Sequence, residues 1–461
     1  MPSYTLVGAG PVGTLMALML AKRGQPVRLI ERRADPRDAP AERGRSINLA
    51  MAARGLLALD QAGVAQRIAP AMMPMPGRML HDERGALQFL RYGQNEHEII
   101  HAVSRERLNR ILIEAAAACP GIELRFNTRC LDVDPSTGSM GLRDERSGRN
   151  YSENFQVLLG TDGAGSAVRA ALHSHGLLHA HEQPLDHDYK ELSIAANAAR
   201  AERYAFEPRA LHIWPRGGYM LIALPNTDGT FTATLFLSRH GEPGFDQLQA
   251  DDAVLHFFHA QFADAAQAIA DLAQQFAAHP QGRLGTVYCE RWQIDGRILL
   301  LGDAAHAIVP FHGQGLNCGF EDCRLLDRML AGANLGDVRE HSAIFTRFER
   351  ERRPDTAAIA AMALENYQEM RDGVRSPQFA RRQQLAAALE RRFRGRFIPR
   401  YSMVMFHPEI GYAEAQRRGA AQQRVLDLLM ADPDPDPDLD LDSLAPGADS
   451  RLETLLEHAG L

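Results

Sequence analysis

The chain has 461 residues, of which 45% are hydrophobic and 24% are charged, and its formal net charge is −7. This length predicts two or three domains, and the acidic balance excludes a nucleic-acid partner held mainly through phosphate contacts. Five cysteines without a C-x-x-C pair exclude a disulfide scaffold or a zinc ribbon and favour a reducing cytoplasm. The sequence has no uncharged apolar stretch of about 18 residues, so we expect no membrane-spanning helix.

The first predicted elements form a βαβ unit. A short apolar strand, Tyr4–Val7, is followed by the glycine turn Gly8-Ala-Gly10-Pro-Val-Gly13, a helix, and a second strand, Val27–Ile30, that ends at Glu31. Such glycines permit close backbone approach to a pyrophosphate, and an acid after the second strand can accept hydrogen bonds from ribose hydroxyls. The pattern predicts a dinucleotide site and favours FAD or NAD over NADP, without choosing between the first two.

The pattern then changes twice along the chain. A helix is predicted from Ser104 to Ala118, and its alternation with short strands indicates a parallel sheet. Between Tyr189 and Phe236, alternating apolar residues bounded by glycine and proline turns predict antiparallel strands. From Ala343 to about Met430 the pattern is helical. The self-repelling stretch Asp432–Asp442 is predicted to be a disordered acidic linker before a short terminal helix.

Two further turns follow predicted strands, where sites of α/β proteins lie. One is the Asp162-Gly163 turn, and the other is GDAAHAIVPFHGQGLN, which runs from Gly302 to Asn317. The second turn contains His306 and His312, with a proline between them, no H-x-x-x-H face and no nearby cysteine pair. We therefore predict no metal site here.

In order and spacing, these three turns resemble the flavoprotein monooxygenases of the para-hydroxybenzoate hydroxylase fold. The resemblance implies an α/β fold in which a Rossmann-like FAD-binding domain is interleaved with an antiparallel β-sheet substrate domain and followed by a C-terminal helical region. It implies bound FAD, with contacts from Gly8, Gly10, Val12, Gly13, Glu31, Arg32, Arg105, Leu131, Asp162, Asp303, Gly315, Leu316 and Asn317. Since no second dinucleotide fingerprint follows the first, NADPH is expected to bind only transiently.

The expected domains are discontinuous. We assign residues 1–73, 101–180 and 286–360 to the FAD-binding domain, 74–100 and 181–285 to the substrate-binding sheet, 361–430 to the helical domain and 431–461 to the acidic linker and tail.

A closer resemblance, to the kynurenine 3-monooxygenase family, rests on the segments Gly44–Ala50 (GRSINLA), Gly77–Met79 (GRM), Leu364–Met370 (LENYQEM) and Phe397–Met403 (FIPRYSM). In that family the arginine of GRM and a tyrosine shortly after it bind the substrate carboxylate, a role that a planar guanidinium suits. The substrate contacts implied here are Arg78, Tyr92, Asn366, Glu369, Met370 and Tyr401. Pro310, Phe311 and His312 are expected to border flavin and substrate, and no catalytic base is assigned.

The activity implied is NADPH- and O2-dependent hydroxylation of L-kynurenine to 3-hydroxy-L-kynurenine through a flavin C4a-hydroperoxide, a step of tryptophan degradation. The ring amine already donates electrons into the ring, so the protein must orient the substrate and exclude water rather than provide a base. Two alternatives stay open, a related hydroxylase of a phenolic acid such as salicylate and a flavin-binding regulatory protein without turnover. We expect a cytoplasmic protein without membrane attachment, although eukaryotic members carry a C-terminal membrane segment, and the sequence leaves open whether it forms a homodimer.

Overall fold

A computed structural model of the chain describes residues 3–38, 48–200, 202–334, 337–372, 377–431 and 448–460. The strands are β1 Tyr4–Val7, β2 Val27–Ile30, β3 Asn48–Met51, β4 Met72–Met75, β5 Gly77–His81, β6 Leu87–Arg91, β7 Ile100–Ser104, β8 Ile122–Arg125, β9 Thr128–Asp134, β10 Ser139–Asp144, β11 Asn150–Asn154, β12 Val157–Gly160, β13 Ala180–Ile194, β14 Ala210–Pro215, β15 Met220–Pro225, β16 Phe231–Ser238, β17 Gln281–Cys289, β18 Gln293–Ile294 and β19 Ile298–Leu300.

The α-helices are α1 Pro11–Lys22, α2 Ala53–Ala62, α3 Ala65–Ile68, α4 Arg105–Ala117, α5 Ala167–Ser174, α6 Asp251–Gln261, α7 Ala263–Ala268, α8 Leu272–Ala278, α9 Asp303–His306, α10 Gly315–Leu330, α11 Val338–Asp372, α12 Pro377–Arg392, α13 Arg400–Phe406, α14 Tyr412–Met430 and α15 Ala448–Ala459. Two predictions lie outside the described residues, the first part of the GRSINLA segment, 44–47, and the acidic linker, 432–442.

The dinucleotide-type sheet has six strands in the order β18-β19-β12-β1-β2-β8. Its pairs are parallel except for β18 with β19. The predicted βαβ unit is confirmed, because β1 and β2 pair in parallel with Tyr4 opposite Val27 and α1 connects them. Both strands are buried along their whole length, as expected for a parallel sheet covered on two faces.

The second large sheet has seven strands in the order β17-β13-β16-β15-β14-β5-β6. Its pairs are antiparallel except for β14 with β5, which confirms the predicted antiparallel region. On one face, Trp214, Phe231 and Leu235 pack against phenylalanines of α6 and α8. Met220 and Phe236 belong to a different cluster, which includes Val309 and Phe311. The sheet therefore separates a helical layer from the loop after α9.

Helices of the C-terminal region close the molecule over this loop. Helix α11 carries Asn366 and Tyr367 and packs against α14 and the 3₁₀ turn Pro310–His312. Apolar residues Met403 and Val404 of α13 share a core with Ile359 of α11. Among the helices in the described part of the chain, none combines the length and apolar character needed to cross a membrane.

Candidate active site

A cavity of about 580 Å³ brings most of the predicted site residues together. Of the predicted cofactor contacts, it is lined by Gly8, Gly10, Val12, Glu31, Arg32, Arg105, Asp162, Asp303, Gly315 and Leu316. The predicted substrate-side residues that line it are Arg78, Tyr92, Pro310, Phe311, His312, Asn366, Met370 and Tyr401. Residues separated by most of the chain length therefore face one chamber.

Four predicted residues do not line this cavity. Gly13 lies beneath the glycine turn, where a Cβ atom would come within 2.0 Å of the Gly8 carbonyl oxygen. Leu131 is 44% exposed, next to the cavity-lining Cys130. Asn317 is buried and directs its side chain to backbone groups of β3 and the residue after it, and Glu369 lies near Tyr401.

The glycine turn is shaped to let a ligand approach its backbone. Gly8 has a φ of 104°, and a Cβ atom there would lie 2.6 Å from the Thr161 carbonyl oxygen, so only glycine fits. A Cβ atom on Gly10 would meet nothing within 4 Å, which leaves open space beside the start of α1. Glu31 Oε2 accepts a hydrogen bond from Ala9 N at 3.0 Å, placing a carboxylate against the turn. These features fit a dinucleotide whose pyrophosphate lies at a helix N-terminus.

Asp162 is tied to the helix that follows it. Its carboxylate accepts hydrogen bonds from Ser166 Oγ at 2.5 Å and from Ala167 N at 2.6 Å, at the start of α5. Burial raises the pKa of Asp162, and these bonds only partly offset that effect. The Asp-Gly turn is therefore rigid where it borders the cavity.

Arg78 presents a cation to the cavity from strand β5. Within the described residues its guanidinium has no hydrogen-bonded or ion-paired partner. The rings of Tyr92 and Tyr401 stack with centroids 5.5 Å apart and an interplanar angle of 16°. Burial raises the pKa of both phenols, and the nearby positive charge of Arg78 opposes this rise only in part. The tyrosines are therefore neutral hydroxyl groups beside an unpaired cation.

His312 continues this aromatic stack. Its ring lies 5.3 Å from that of Tyr401 at 15°, and its Nδ1 atom is buried without a hydrogen-bond partner among the described residues. Burial lowers the pKa of His312 to about 4. The imidazole is therefore uncharged at neutral pH.

Comparison with known proteins decides the family. Residues 3–363 match the family of FAD binding domains. The chain is 45% identical over 424 residues to the kynurenine 3-monooxygenase of Stenotrophomonas maltophilia strain K279a, covering 92% of this chain and 91% of the relative. It is also 45% identical over 425 residues to that of Xanthomonas campestris pv. campestris strain 8004, with the same coverage. The chain belongs to the kynurenine 3-monooxygenase family.

Solved structures agree on the fold. The 2-methyl-3-hydroxypyridine-5-carboxylic acid oxygenase superposes with a TM-score of 0.64 at 19% identity, covering 84% of this chain and 95% of that one. The p-nitrophenol 4-monooxygenase of Pseudomonas putida DLL-E4 gives 0.64 at 18% identity, covering 84% and 93%. As a member of the kynurenine 3-monooxygenase family, the protein is an FAD-dependent monooxygenase, and the predicted fold class and cofactor FAD are confirmed.

In this member of the kynurenine 3-monooxygenase family, Asn366 supports the loop beside the cavity. Its Nδ2 atom donates to the Phe311 carbonyl oxygen at 2.7 Å and to Met370 Sδ at 3.3 Å. The Phe311 ring stacks on Tyr367 with centroids 3.9 Å apart. Helix α11 thus fixes the loop through both an amide and a ring, and sequence reasoning missed Tyr367 although it lies inside the matched LENYQEM segment.

A buried polar cluster under the Gly302 turn was also missed. Ligand-type atoms of His306, Cys318 and Asp322 lie within 4.8 Å of one another, a spacing that suits a metal ion. However, Arg352 donates to Asp322 Oδ1 at 2.9 Å and to Cys318 Sγ at 3.4 Å. A guanidinium in this place repels a cation and already uses the same acceptor atoms, so the geometry favours an ion-pair cluster. The i, i+4 spacing of Cys318 and Asp322 on α10 was the available signal.

Proposed function

We propose that the protein catalyses the NADPH- and O2-dependent hydroxylation of L-kynurenine to 3-hydroxy-L-kynurenine. The observation that carries this proposal is the unpaired Arg78 guanidinium in the same chamber as the glycine turn, flanked by the stacked Tyr92 and Tyr401. Arg78 is partly buried, and its charge stays uncompensated until a ligand supplies a negative group. An amino-acid substrate supplies a carboxylate, and the relatives at 45% identity are named for kynurenine.

The side chains divide the work of holding such a substrate. Arg78 binds the carboxylate through a bidentate pair of hydrogen bonds, and the protonated hydroxyls of Tyr92 and Tyr401 donate to the same carboxylate. Apolar residues of the seven-stranded sheet, Ile213, Met220 and Phe236, line the wall and keep water from the ring. His312 is neutral, so it adds a polar group to the cavity wall without placing a charge beside the neutral aniline ring of the substrate.

The cofactor site fits FAD because the open space at Gly10 and the carboxylate of Glu31 match a pyrophosphate and an adenosine ribose. By the family resemblance, Asp303 and the backbone at Leu316 and Asn317 hold the ribityl chain and the ring. When bound, FAD supplies the redox chemistry that activates O2, with NADPH as the electron donor. The α10 N-terminus offers backbone N–H groups that favour negative charge beside it.

Product identification tests this proposal directly. Purified protein loaded with FAD is incubated with L-kynurenine, NADPH and O2, and NADPH oxidation is followed together with the mass of the product. We expect kynurenine-dependent NADPH oxidation and a product heavier by one oxygen atom. Hydroxylation of salicylate in the absence of any hydroxylated kynurenine would identify a phenolic acid as the substrate and reject the proposal.

A further inference from the structure

The turn Gly302–His306 is a short piece of chain that presents Asp303 to the cavity. Gly302 is in a left-handed conformation with a φ of 58°, and α9 spans only Asp303–His306. A helix this short is not stable on its own. The position of Asp303 therefore depends on contacts that the turn makes with the rest of the protein.

The main such contact is a carboxylate on helix α10. Asp322 Oδ2 lies 2.6 Å from His306 Nε2 and accepts a hydrogen bond from Gly302 N at 3.1 Å. Its other oxygen accepts from Arg352 Nε at 2.9 Å. The fully buried side chain of Asp322 thus forms hydrogen bonds with both ends of the turn that contains Asp303, and Arg352 of α11 holds it in place.

Asp322 and His306 are ionised despite their burial. Burial opposes charge on Asp322, yet His306 and Arg352 lower the pKa of its carboxyl group. The pKa of His306, which burial alone would lower, is raised to about 10 by the Asp322 carboxylate. The contact to the turn is therefore a pair of hydrogen bonds to a charged acceptor, the stronger class of hydrogen bond.

Close packing of α10 adds to this constraint. A Cβ atom on Gly319 would lie 2.7 Å from Val12 Cγ2 and 3.5 Å from the Gly302 Cα atom. Helix α10 therefore runs directly under both the glycine turn and the Gly302 turn. Arg169 Nη1 holds the turn from the opposite side, donating to the Ala304 carbonyl oxygen at 2.7 Å.

We propose that Asp322 is a positioning residue for the flavin cofactor: by gripping Gly302 N and His306 it fixes the turn through which Asp303 contacts bound FAD. The inference rests on the cofactor role of Asp303 and not on the identity of the aromatic substrate. Asp322 itself does not line the cavity, so its effect reaches the flavin only through the turn.

The test compares two buried acids of the same helix. Asp322→Asn replaces an acceptor oxygen with an N–H donor and removes the charge. Asp327→Asn is the matched control, because Asp327 is also buried on α10 but binds Arg23 and Gln61 rather than the Gly302 turn. For each holoenzyme we measure the FAD release rate, the visible circular dichroism of bound flavin and the thermal unfolding midpoint.

We expect both variants to unfold at lower temperature, whereas only Asp322→Asn releases FAD faster, by about tenfold or more, and changes the flavin dichroism. The proposal would be overturned if Asp322→Asn released FAD at the wild-type rate with unchanged flavin dichroism. It would also be overturned if FAD release were accelerated equally in Asp322→Asn and Asp327→Asn. If Asp322→Asn does not fold, His306→Ala decides, because it removes the hydrogen bond from residue 306 to Asp322. Wild-type flavin behaviour in His306→Ala would then reject the proposal. None of these measurements depends on kynurenine turnover, so the proposed substrate can fail independently.

Discussion

At the scale of single residues, the proposed substrate binding depends on Arg78, a cavity-lining cation without a counter-ion among the described residues. Arg78→Ala should raise the apparent KM for L-kynurenine strongly, because a hydrogen bond to a charged group contributes about 1.5 to 3 kcal/mol, roughly ten- to a hundredfold. Steady-state rates give KM, and the flavin-to-protein absorbance ratio gives FAD content. Arg78→Lys keeps the positive charge but loses the planar guanidinium, so its KM should lie between those of wild type and Arg78→Ala. Loss of FAD in Arg78→Ala would contradict the assignment.

Glu31 has the opposite expected effect. Its carboxylate holds Ala9 N in the glycine turn and lines the cavity, so Glu31→Ala should weaken FAD binding without changing KM for L-kynurenine in reconstituted enzyme. Titration of the apoprotein with FAD measures the first quantity. Glu123→Gln, on neighbouring strand β8 and half exposed, is a suitable control. Unchanged FAD affinity in Glu31→Ala would show that the backbone alone holds the ribose end.

Residues of this kind could be predicted because each lies in a short local pattern. Gly8, Glu31 and Asp303 follow strands, and Arg78 lies in the GRM segment. The grip of Asp322 on the Gly302 turn could not be predicted in the same way, because it needs Arg352 from another helix, 30 residues further along the chain. Local patterns indicate which backbone a ligand approaches, whereas the ion pairs that fix this backbone are set by tertiary packing.

At the scale of elements, strand β5 is fixed from behind by a hydrogen-bonded chain. His81 Nε2 lies 2.8 Å from His212 Nδ1, and His81 Nδ1 lies 2.7 Å from Asp264 Oδ2. His212 Nε2 must donate to the Glu207 carbonyl oxygen, and burial lowers the pKa of His212 to about 4. His212 is thus a neutral acceptor at Nδ1, facing His81 Nε2.

This chain predicts a pH-dependent contribution to stability. Burial is the largest influence on Asp264 and would raise its pKa, but His81 together with the hydrogen bonds from Trp214 Nε1 and Ala265 N outweighs burial and lowers the pKa. A carboxyl group with a lowered folded-state pKa stabilises the fold above its unfolded value of about 3.9 and loses this contribution as the pH falls below it. Asp264→Asn should therefore reduce the free energy of unfolding at pH 7, and the difference from wild type should shrink below about pH 4. Urea titrations at both pH values measure this, and a difference independent of pH would exclude the charge of Asp264 as its source.

The strands and helices were more predictable from the sequence than the contacts between them. The strands β1 and β2 and the start of α4, where Ser104 Oγ accepts from Arg107 N, follow from local sequence. The contact between His81 and Asp264 joins residues 183 positions apart. No periodicity or spacing encodes such a pair, because it arises only when α7 has packed against the face of the sheet that contains β5.

At the scale of the whole molecule, the C-terminal helices meet the segment between β6 and β7 at a pair of acids. Glu390 of α12 lies near Glu98, and burial together with that negative charge raises the pKa of Glu390 to about 7. Gln94 and Arg391 also face Glu390, and His407 Nε2 lies 4.0 Å from Glu98 Oε1. The contact between the helical region and this segment is therefore most stable when Glu390 is protonated.

Such a group makes stability fall as the pH rises from its unfolded value of about 4.3 through its folded value near 7, because the folded state binds the extra proton. Glu390→Gln should raise the thermal midpoint at pH 8 relative to wild type and have little effect at pH 5. Glu351→Gln, an exposed glutamate on α11, is the control. An equal shift of Glu390→Gln at both pH values would show that packing, not charge, is responsible.

The two faces of strand β5 make unrelated contacts. Arg78 faces the cavity, whereas His81, at odd spacing from it, bonds to His212 and Asp264 on the opposite face. Inserting or deleting one residue between them would place both side chains on the same face, so that either the imidazole enters the chamber or the guanidinium enters the packed layer. Any redesign of substrate choice along this strand is therefore confined to exchanges that preserve its length.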